Sequence, residues 1–175
     1  LDPGDPAMQN NYGNALARSG QRELAMARFR EAVRLSPNPA EALNNLGAAL
    51  SSVGQLDEAA VCLGRAVRVR PDYAEAHNNL GNTLKDMGRL DKAAASYRRA
   101  LQIRPDYERA HKNLADALAA HGQFDEAIAH YRKALEFNPD AVEIYCNLSA
   151  ALAGGGKLDE AVKTARRALE IAASQ

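Results

Sequence analysis

The feature that most constrains how this chain can fold is a fixed internal period of 34 residues. Proline recurs as Pro3, Pro37, Pro71, Pro105 and Pro139, glycine as Gly20, Gly54, Gly88, Gly122 and Gly156, and alanine as Ala25, Ala59, Ala93, Ala127 and Ala161. An acidic residue keeps the same step at Glu23, Asp57, Asp91, Asp125 and Asp159. The group Asn44-Asn45-Leu46-Gly47 returns as Asn78-Asn79-Leu80-Gly81, Lys112-Asn113-Leu114-Ala115 and Cys146-Asn147-Leu148-Ser149, and precedes itself as Asn10-Asn11-Tyr12-Gly13. A unit this short cannot bury an apolar face alone, so successive units must stack and share one continuous core.

Numbering each unit so that the recurrent proline is position 32 gives repeats 6–39, 40–73, 74–107, 108–141 and 142–175 in a single domain over residues 1–175, with 1–5 read as the tail of a preceding repeat. The glycine at position 15 supplies the left-handed residue that ends one helix, A. The acidic residue at position 18 opens a second, B, where its charge meets the positive end of the helix dipole. Proline at position 32 stops helix B. Between these marks the apolar residues fall at helical spacing, as in Leu43, Leu46, Gly47 and Leu50, then Leu56, Ala59, Ala60, Leu63, Ala66 and Val67. The small Gly47 and Ala59 allow close helix approach. The expected fold is all-α, with ten helices of three to four turns.

Charge and composition remove several function classes. The 22 basic and 22 acidic residues cancel, so the chain lacks the electrostatic footprint that nucleic acid or an anionic membrane surface selects. No run of 18 apolar residues is present to span a bilayer. Leu1-Asp2-Pro3-Gly4-Asp5-Pro6 has neither the basic nor the apolar region of a signal peptide, and Cys62 and Cys146 form no disulfide framework. A cytoplasmic setting is therefore expected, with no nucleic acid, membrane or cofactor as partner.

Leu or Tyr at position 7, Gly or Ala at 8 (Ser149 in the last repeat), Leu at 11, Gly at 15, Ala at 20, an aromatic or Leu at 24, Ala at 27 and Pro at 32 resemble the tetratricopeptide repeat (TPR) pattern across essentially the whole chain. The resemblance implies antiparallel helix pairs coiling into a right-handed superhelix, a TPR solenoid, with A helices lining a concave groove that binds proteins or peptides. The chain departs from the pattern at position 4, where Gln9, Leu43, His77, His111 and Tyr145 replace Trp, and in the last repeat, where Ala173 replaces Pro and Ala165 an aromatic or Leu. Pro3 at the repeat distance from Pro37 suggests that the chain is a fragment of a longer one. In the fifth repeat Val162, Ala165, Leu169 and Ile171 are expected to expose an apolar face, and Gly154-Gly155-Gly156 to weaken the end of helix A by roughly 1 kcal/mol per glycine. Fraying, or homo-oligomer formation through that end, is the expected consequence.

The candidate binding residues follow from the asparagine at position 6. On a helical wheel it points about 150° away from the packed positions 4, 7, 8 and 11. Asparagine is a poor helix former, roughly 0.6 kcal/mol worse than alanine, so five copies cost about 3 kcal/mol. Neighbours on that face vary: position 9 reads Asn14, Ala48, Asn82, Asp116, Ala150. Shared descent among repeats, or a bond from the amide to a neighbouring backbone group in the stack, would be plainer accounts. The functional reading is a ladder. Helix layers lie about 8 to 10 Å apart and an extended peptide advances about 3.3 Å per residue, so rungs meet a bound strand roughly every third residue. Each carboxamide carries a donor and an acceptor for peptide backbone. Asn11, Asn45, Asn79, Asn113 and Asn147 are the expected peptide-binding rungs, tuned by Asn10, Asn14, Asn44, Asn78, Asn82, Lys112 and Asp116. Replacing rungs by alanine is expected to abolish binding and leave stability nearly unchanged. Glu41, Glu75, Asp86, Asp116 and Glu143 make the groove mildly acidic.

The recurrent asparagine, with the Asn-Leu-Gly and Gly-x-Leu-Asp-Glu-Ala phrases, resembles in particular the TPR region of O-linked N-acetylglucosamine transferases, which implies as an alternative a substrate-recruiting arm whose catalytic domain is absent here. The carboxylate clamp of chaperone adaptors fits poorly, because Glu75 and Asn79 stand where it needs Lys and Arg. No catalytic constellation emerges. His77 and His111 point into helix packing without a third metal ligand, while His121 and His130, with no acidic partner at helical spacing, read as surface. Gly154-Gly155-Gly156-Lys157 lacks the spacing of a phosphate loop, and Asn147-Leu148-Ser149 is a sequon inside a helix. Cys146 lacks a basic partner. The pairs Arg98-Arg99, Arg132-Lys133 and Arg166-Arg167 read as a solvated outer face.

Overall fold

Helices A and B of every repeat begin at the same two repeat positions. In the computed structural model, which describes residues 4–174, the elements are α1 (Pro6–Arg18), α2 (Arg22–Leu35), α3 (Ala40–Ser52), α4 (Leu56–Val69), α5 (Ala74–Asp86), α6 (Leu90–Ile103), α7 (Glu108–Ala120), α8 (Phe124–Phe137), α9 (Val142–Gly154) and α10 (Leu158–Ala173). Among the described residues there are ten helices and no strand, as the periodicity predicts. Leu1-Asp2-Pro3, read above as the tail of a preceding repeat, and Gln175 lie outside the described residues.

The helix ends obey the recurrent punctuation. All five position-15 glycines have positive φ, between 72° and 79°, and the residue after Gly20, Gly54, Gly122 and Gly156 donates its N–H back to the leucine at position 11, as in Gln21 N to Leu16 O at 2.9 Å and Lys157 N to Leu152 O at 2.8 Å. That six-to-one bond satisfies a carbonyl the helix end would otherwise leave open. The same residue then serves as N-cap of helix B without a side-chain cap, so the acidic residue in the first turn is the favourable charge there. α1 alone gains a side-chain cap, Asp5, whose Oδ1 accepts from Ala7 N at 2.9 Å. Where Ala173 replaces proline, α10 runs for 16 residues, against 14 for the other B helices.

The chain divides into two compact units, Leu1–Gly88 with α1 to α5 and Arg89–Gln175 with α6 to α10. In the first, α1 packs on α2, α3 on α4, and α2 and α4 each on the A helix that follows. Its core joins Leu16, Met26, Phe29, Leu43, Leu46 and Leu50 with Ala59 and Cys62. Pairing within a repeat is close because position 8 is glycine: a Cβ on Gly13 would lie 2.5 Å from the Phe29 ring, and one on Gly47 would lie 2.5 Å from Leu63 Cγ. In the second unit Ala115 stands at position 8 and is fully buried, and Ser149 fits because its partner at position 24 is Ala165; the Ser149 hydroxyl donates to Ala161 O at 2.8 Å.

One expectation for the last repeat needs correction. Ile171 is buried, at 4% exposure, whereas Val162 and Leu169 are exposed, at 53% and 71%. The glycine run does not shorten α9, which has the 13 residues of α7. A Cβ on Gly154 would lie 2.6 Å from the Phe124 ring, so the missing side chain is what seats that ring. The outer basic residues are also organised: position 25 reaches the acidic residue 28 positions on, in Arg30 to Glu58 (3.0 Å), Arg98 to Glu126 (2.8 Å) and Arg132 to Glu160 (2.6 Å). These pairs are exposed, worth up to about 1 kcal/mol each.

Candidate functional site

Asn45, Asn79 and Asn147 stand on the A helices with positions 5 and 9 of the preceding repeat within reach. Asn11, which has no described repeat before it, is exposed; Asn45, Asn79, Asn113 and Asn147 are half-buried. Asn45 Nδ2 donates to Asn10 Oδ1 at 3.0 Å and to Asn14 Oδ1 at 3.2 Å. Asn79 Nδ2 donates to Asn44 Oδ1 at 2.9 Å, and Asn44 Nδ2 donates in turn to Asn45 Oδ1 at 3.3 Å. Asn147 Nδ2 donates to Asp116 Oδ1 at 3.1 Å.

One rule covers these bonds: the amide donates to whichever of positions 5 and 9 in the preceding repeat carries an oxygen. Asn10 and Asn14 both do, and both are used. Ala48 has none, so Asn79 takes Asn44; Lys112 has none, so Asn147 takes Asp116. Within the first unit the result is a continuous run of neutral amides over α1, α3 and α5. Asn10, Asn44 and Asn78 are buried, at 8%, 6% and 3% exposure, so they act on the face through the rungs rather than lining it. Asn14, Asn82, Lys112 and Asp116 are half-buried. The expectation that alanine at the rungs would leave stability untouched does not fit this network, because two buried oxygens would lose their donors.

The second unit surrounds its rung with charge. Asp116 Oδ1 also accepts from the Tyr131 hydroxyl at 2.7 Å, and Oδ2 lies 3.3 Å from Lys112 Nζ, which sits closer to Glu143 Oε1, at 2.8 Å. Burial works against the Lys112 charge, but the bonds to Glu143 and Asp116 outweigh it and hold its pKa above the ordinary value. Burial and the bond to Asp116 push the Tyr131 phenol far up, so it stays a neutral donor. The acidity of the groove is partly spent elsewhere: Glu41 pairs with Arg70 at 3.2 Å.

Each unit has a cleft between consecutive A helices beside a rung. In the first, Ala48, Ser51, Ser52, Asn79, Asn82, Thr83 and Asp86 line about 300 Å³, with the Ser51 and Thr83 hydroxyls 3.1 Å apart. In the second, Asp116, Ala119, Phe124, Tyr131, Asn147, Ala150 and Ala151 line about 370 Å³. Thr83 is fully buried, and the available signal in the sequence was a hydroxyl at a position otherwise occupied by alanine, as in Ala15, Ala49, Ala117 and Ala151.

The histidine expectations divide. His77 and His111 face the packing, each ring Nε2 lying 3.0 Å from a proline carbonyl, Pro71 and Pro105. His130 is not a surface residue: it is half-buried, its Nδ1 lies 2.9 Å from His111 Nδ1, and Glu126 stands one helical turn away at 3.9 Å. His121 pairs with Asp91 at 3.1 Å. No group of three metal-ligating side chains occurs among the described residues. Cys146 is exposed and Cys62 buried. Among the described residues no helix is long and apolar enough to cross a membrane.

Sequence models of the tetratricopeptide repeat match residues 39–106 and 72–140, another matches 112–175, and a TPR repeat model matches 13–54. No curated protein sequence matches the chain. Among solved structures, a crystal structure of MamA protein is 26% identical, covering 95% of this chain and 91% of its own, with a TM-score of 0.84. MamA, residue 41 to the end, from Desulfovibrio magneticus RS-1 is 20% identical over 100% of this chain and 98% of its own, with a TM-score of 0.89. YrrB, described as a TPR protein with an unusual peptide-binding site, is 21% identical over 97% and 88%, with a TM-score of 0.81.

Proposed function

Because the chain belongs to the tetratricopeptide repeat family, we propose that it is a non-catalytic interaction module that holds extended peptide or protein segments against the A-helix face of each unit. The observation that carries this reading is the position-6 asparagine, kept five times while the residues around it change. The bonds to positions 5 and 9 refine how it would act. Asn45 spends both amide hydrogens on Asn10 and Asn14, which leaves a lone pair on its Oδ1 as the group offered to a peptide N–H. A rung already held by its neighbours loses little rotamer freedom on binding, a saving of about 0.5–1.5 kcal/mol per side chain. Three rungs in the first unit, Asn11, Asn45 and Asn79, would engage about six residues of extended chain. That YrrB carries a peptide-binding site supports the ligand class.

Asn11 provides the cleanest test, since its side chain has no hydrogen-bond partner among the described residues. On an array of unstructured 12-residue peptides, Asn11→Ala should weaken binding at least threefold while unfolding at an equal or slightly higher urea concentration. Asn11→Ala combined with Asn45→Ala and Asn79→Ala should remove binding. Affinity unchanged in the triple variant would refute the ladder.

The exposed Val162 and Leu169 favour self-association as a second role. Mean mass in sedimentation should rise with concentration for the native chain and stay constant for Leu169→Glu; a native mass independent of concentration removes this role.

A further inference from the structure

The two clefts occupy the same place in the repeat and differ in chemistry. In the first unit position 9 is Ala48, the Ser51 and Thr83 hydroxyls meet between the two A helices, and the carboxylate of Asp86 is exposed at position 13. In the second unit position 9 is Asp116, whose side chain is only 19% exposed, and the cleft is lined by Phe124, the small Ala119, Ala150 and Ala151, and Tyr131, which is buried. We propose that this second cleft is a side-chain pocket for a cationic residue of the bound segment, arginine by preference, so that the module reads one basic side chain beside an otherwise backbone-directed rung. The inference rests on the reading that the A-helix face holds peptide.

Three features select a cation. Asp116 Oδ1 is occupied by the Tyr131 hydroxyl and the Asn147 amide, whereas Oδ2 has only the long contact to Lys112, which is drawn toward Glu143. A second donor can therefore reach Oδ2 without displacing a strong bond. Asp116, Glu143 and Lys112 sum to one negative charge, which a guanidinium or ammonium group cancels and an anion would double. The half-buried Phe124 ring and three alanines leave the rest of the lining apolar, which suits a guanidinium, more weakly hydrated than an ammonium and able to fork toward a carboxylate. The asparagine rung at the rim, Asn147, is locked by the same carboxylate, which fixes the spacing between the side-chain pocket and the backbone contact.

The probe is N-acetyl-arginine methylamide, titrated by NMR against the neutral isostere N-acetyl-citrulline methylamide. The arginine compound should shift the resonances of Asp116, Tyr131 and Ala150 and bind about tenfold more tightly than citrulline, with the preference falling as salt is raised. Asp116→Asn, which keeps an acceptor for Tyr131 and Asn147, should erase the preference. Equal binding of the two compounds, or shifts confined to other residues, overturns the pocket; should Asp116→Asn unfold, the native arginine-to-citrulline ratio decides alone. A 12-residue peptide with one central arginine or citrulline separates the two readings. Binding of both peptides with equal affinity removes the pocket and leaves the ladder, whereas an arginine preference kept in the asparagine-to-alanine triple variant together with an unchanged affinity removes the ladder and leaves the pocket.

Discussion

The two units use one helix register and one recurrent asparagine, yet they satisfy that asparagine by different means. Residues 4–88 do it with neutral amides handed from α5 to α3 to α1; within residues 89–174, Asn147 is held by a single carboxylate that gathers an amide, a phenol and an ammonium group. They also differ at position 8, glycine throughout the first unit and Ala115 and Ser149 in the second. The lesson is that a repeat fixes where a side chain stands, while the oxygen or methyl group it meets is decided by a residue one repeat away or on the paired helix.

The largest test of the contrast is steric. Gly47→Ala places a methyl 2.5 Å from Leu63 Cγ and should destabilise the first unit by about 2–3 kcal/mol in urea unfolding. Ala115→Gly in the second should cost only about 1 kcal/mol, through helix propensity; equal costs would mean that position 8 does not distinguish the units. Next comes the amide run. Asn45→Ala with Asn79→Ala strips the buried Asn10 and Asn44 oxygens of their donors, at about 1–3 kcal/mol each before a gain of roughly 0.6 kcal/mol per site in helix propensity. Asn147→Ala should cost under about 1 kcal/mol, because Asp116 keeps Tyr131 and Lys112. Hydrogen exchange of α3 against α9 measures both, and the reverse order would break the comparison.

The smallest effect is in pH. Burial is the main cause that lowers the pKa of both His111 and His130 from 6.5; their neighbours Lys133 and Arg98 push the same way, with Glu136 and Glu126 opposing. The folded state therefore binds fewer protons than the unfolded chain in that region, so stability is fully present above about pH 6.5 and declines as pH falls toward the depressed folded values. The first unit has a single histidine, His77, and cannot form such a pair. Acidification from pH 7 to 5 should thus lower the amide protection factors, corrected for the intrinsic pH dependence of exchange, in α7 and α8 more than in α3 and α4, and His130→Gln should reduce the difference.

Much of this was legible in the chain. Helix ends, the positive-φ glycine and the proline stop depend on residues close in sequence, so local pattern located them. The close approach at Gly47 was legible for the same reason, since its partner lies on the adjoining helix of the same repeat. What the asparagines bond to was not, because the acceptor lies 31 or 35 residues away and changes with the identity of positions 5 and 9. A glycine read alone at Gly154 signals only helix weakness, and the Phe124 ring shows what the vacancy is for. His130 misled because its partner sits on the helix before it, at no helical spacing; Glu126, one turn back on its own helix, was legible and overlooked.

The choice of acceptor between positions 5 and 9 has a consequence for how such a face can change. Where both positions carry an oxygen, as at Asn10 and Asn14, either can be substituted and the amide of Asn45 is still received. The condition on the pair is a logical OR, so one of the two sites is always open to substitution without loosening the stack. A repeat built this way can rewrite the chemistry it shows a partner one residue at a time, as Ala48 and Lys112 illustrate, and never pass through an intermediate with an orphaned rung.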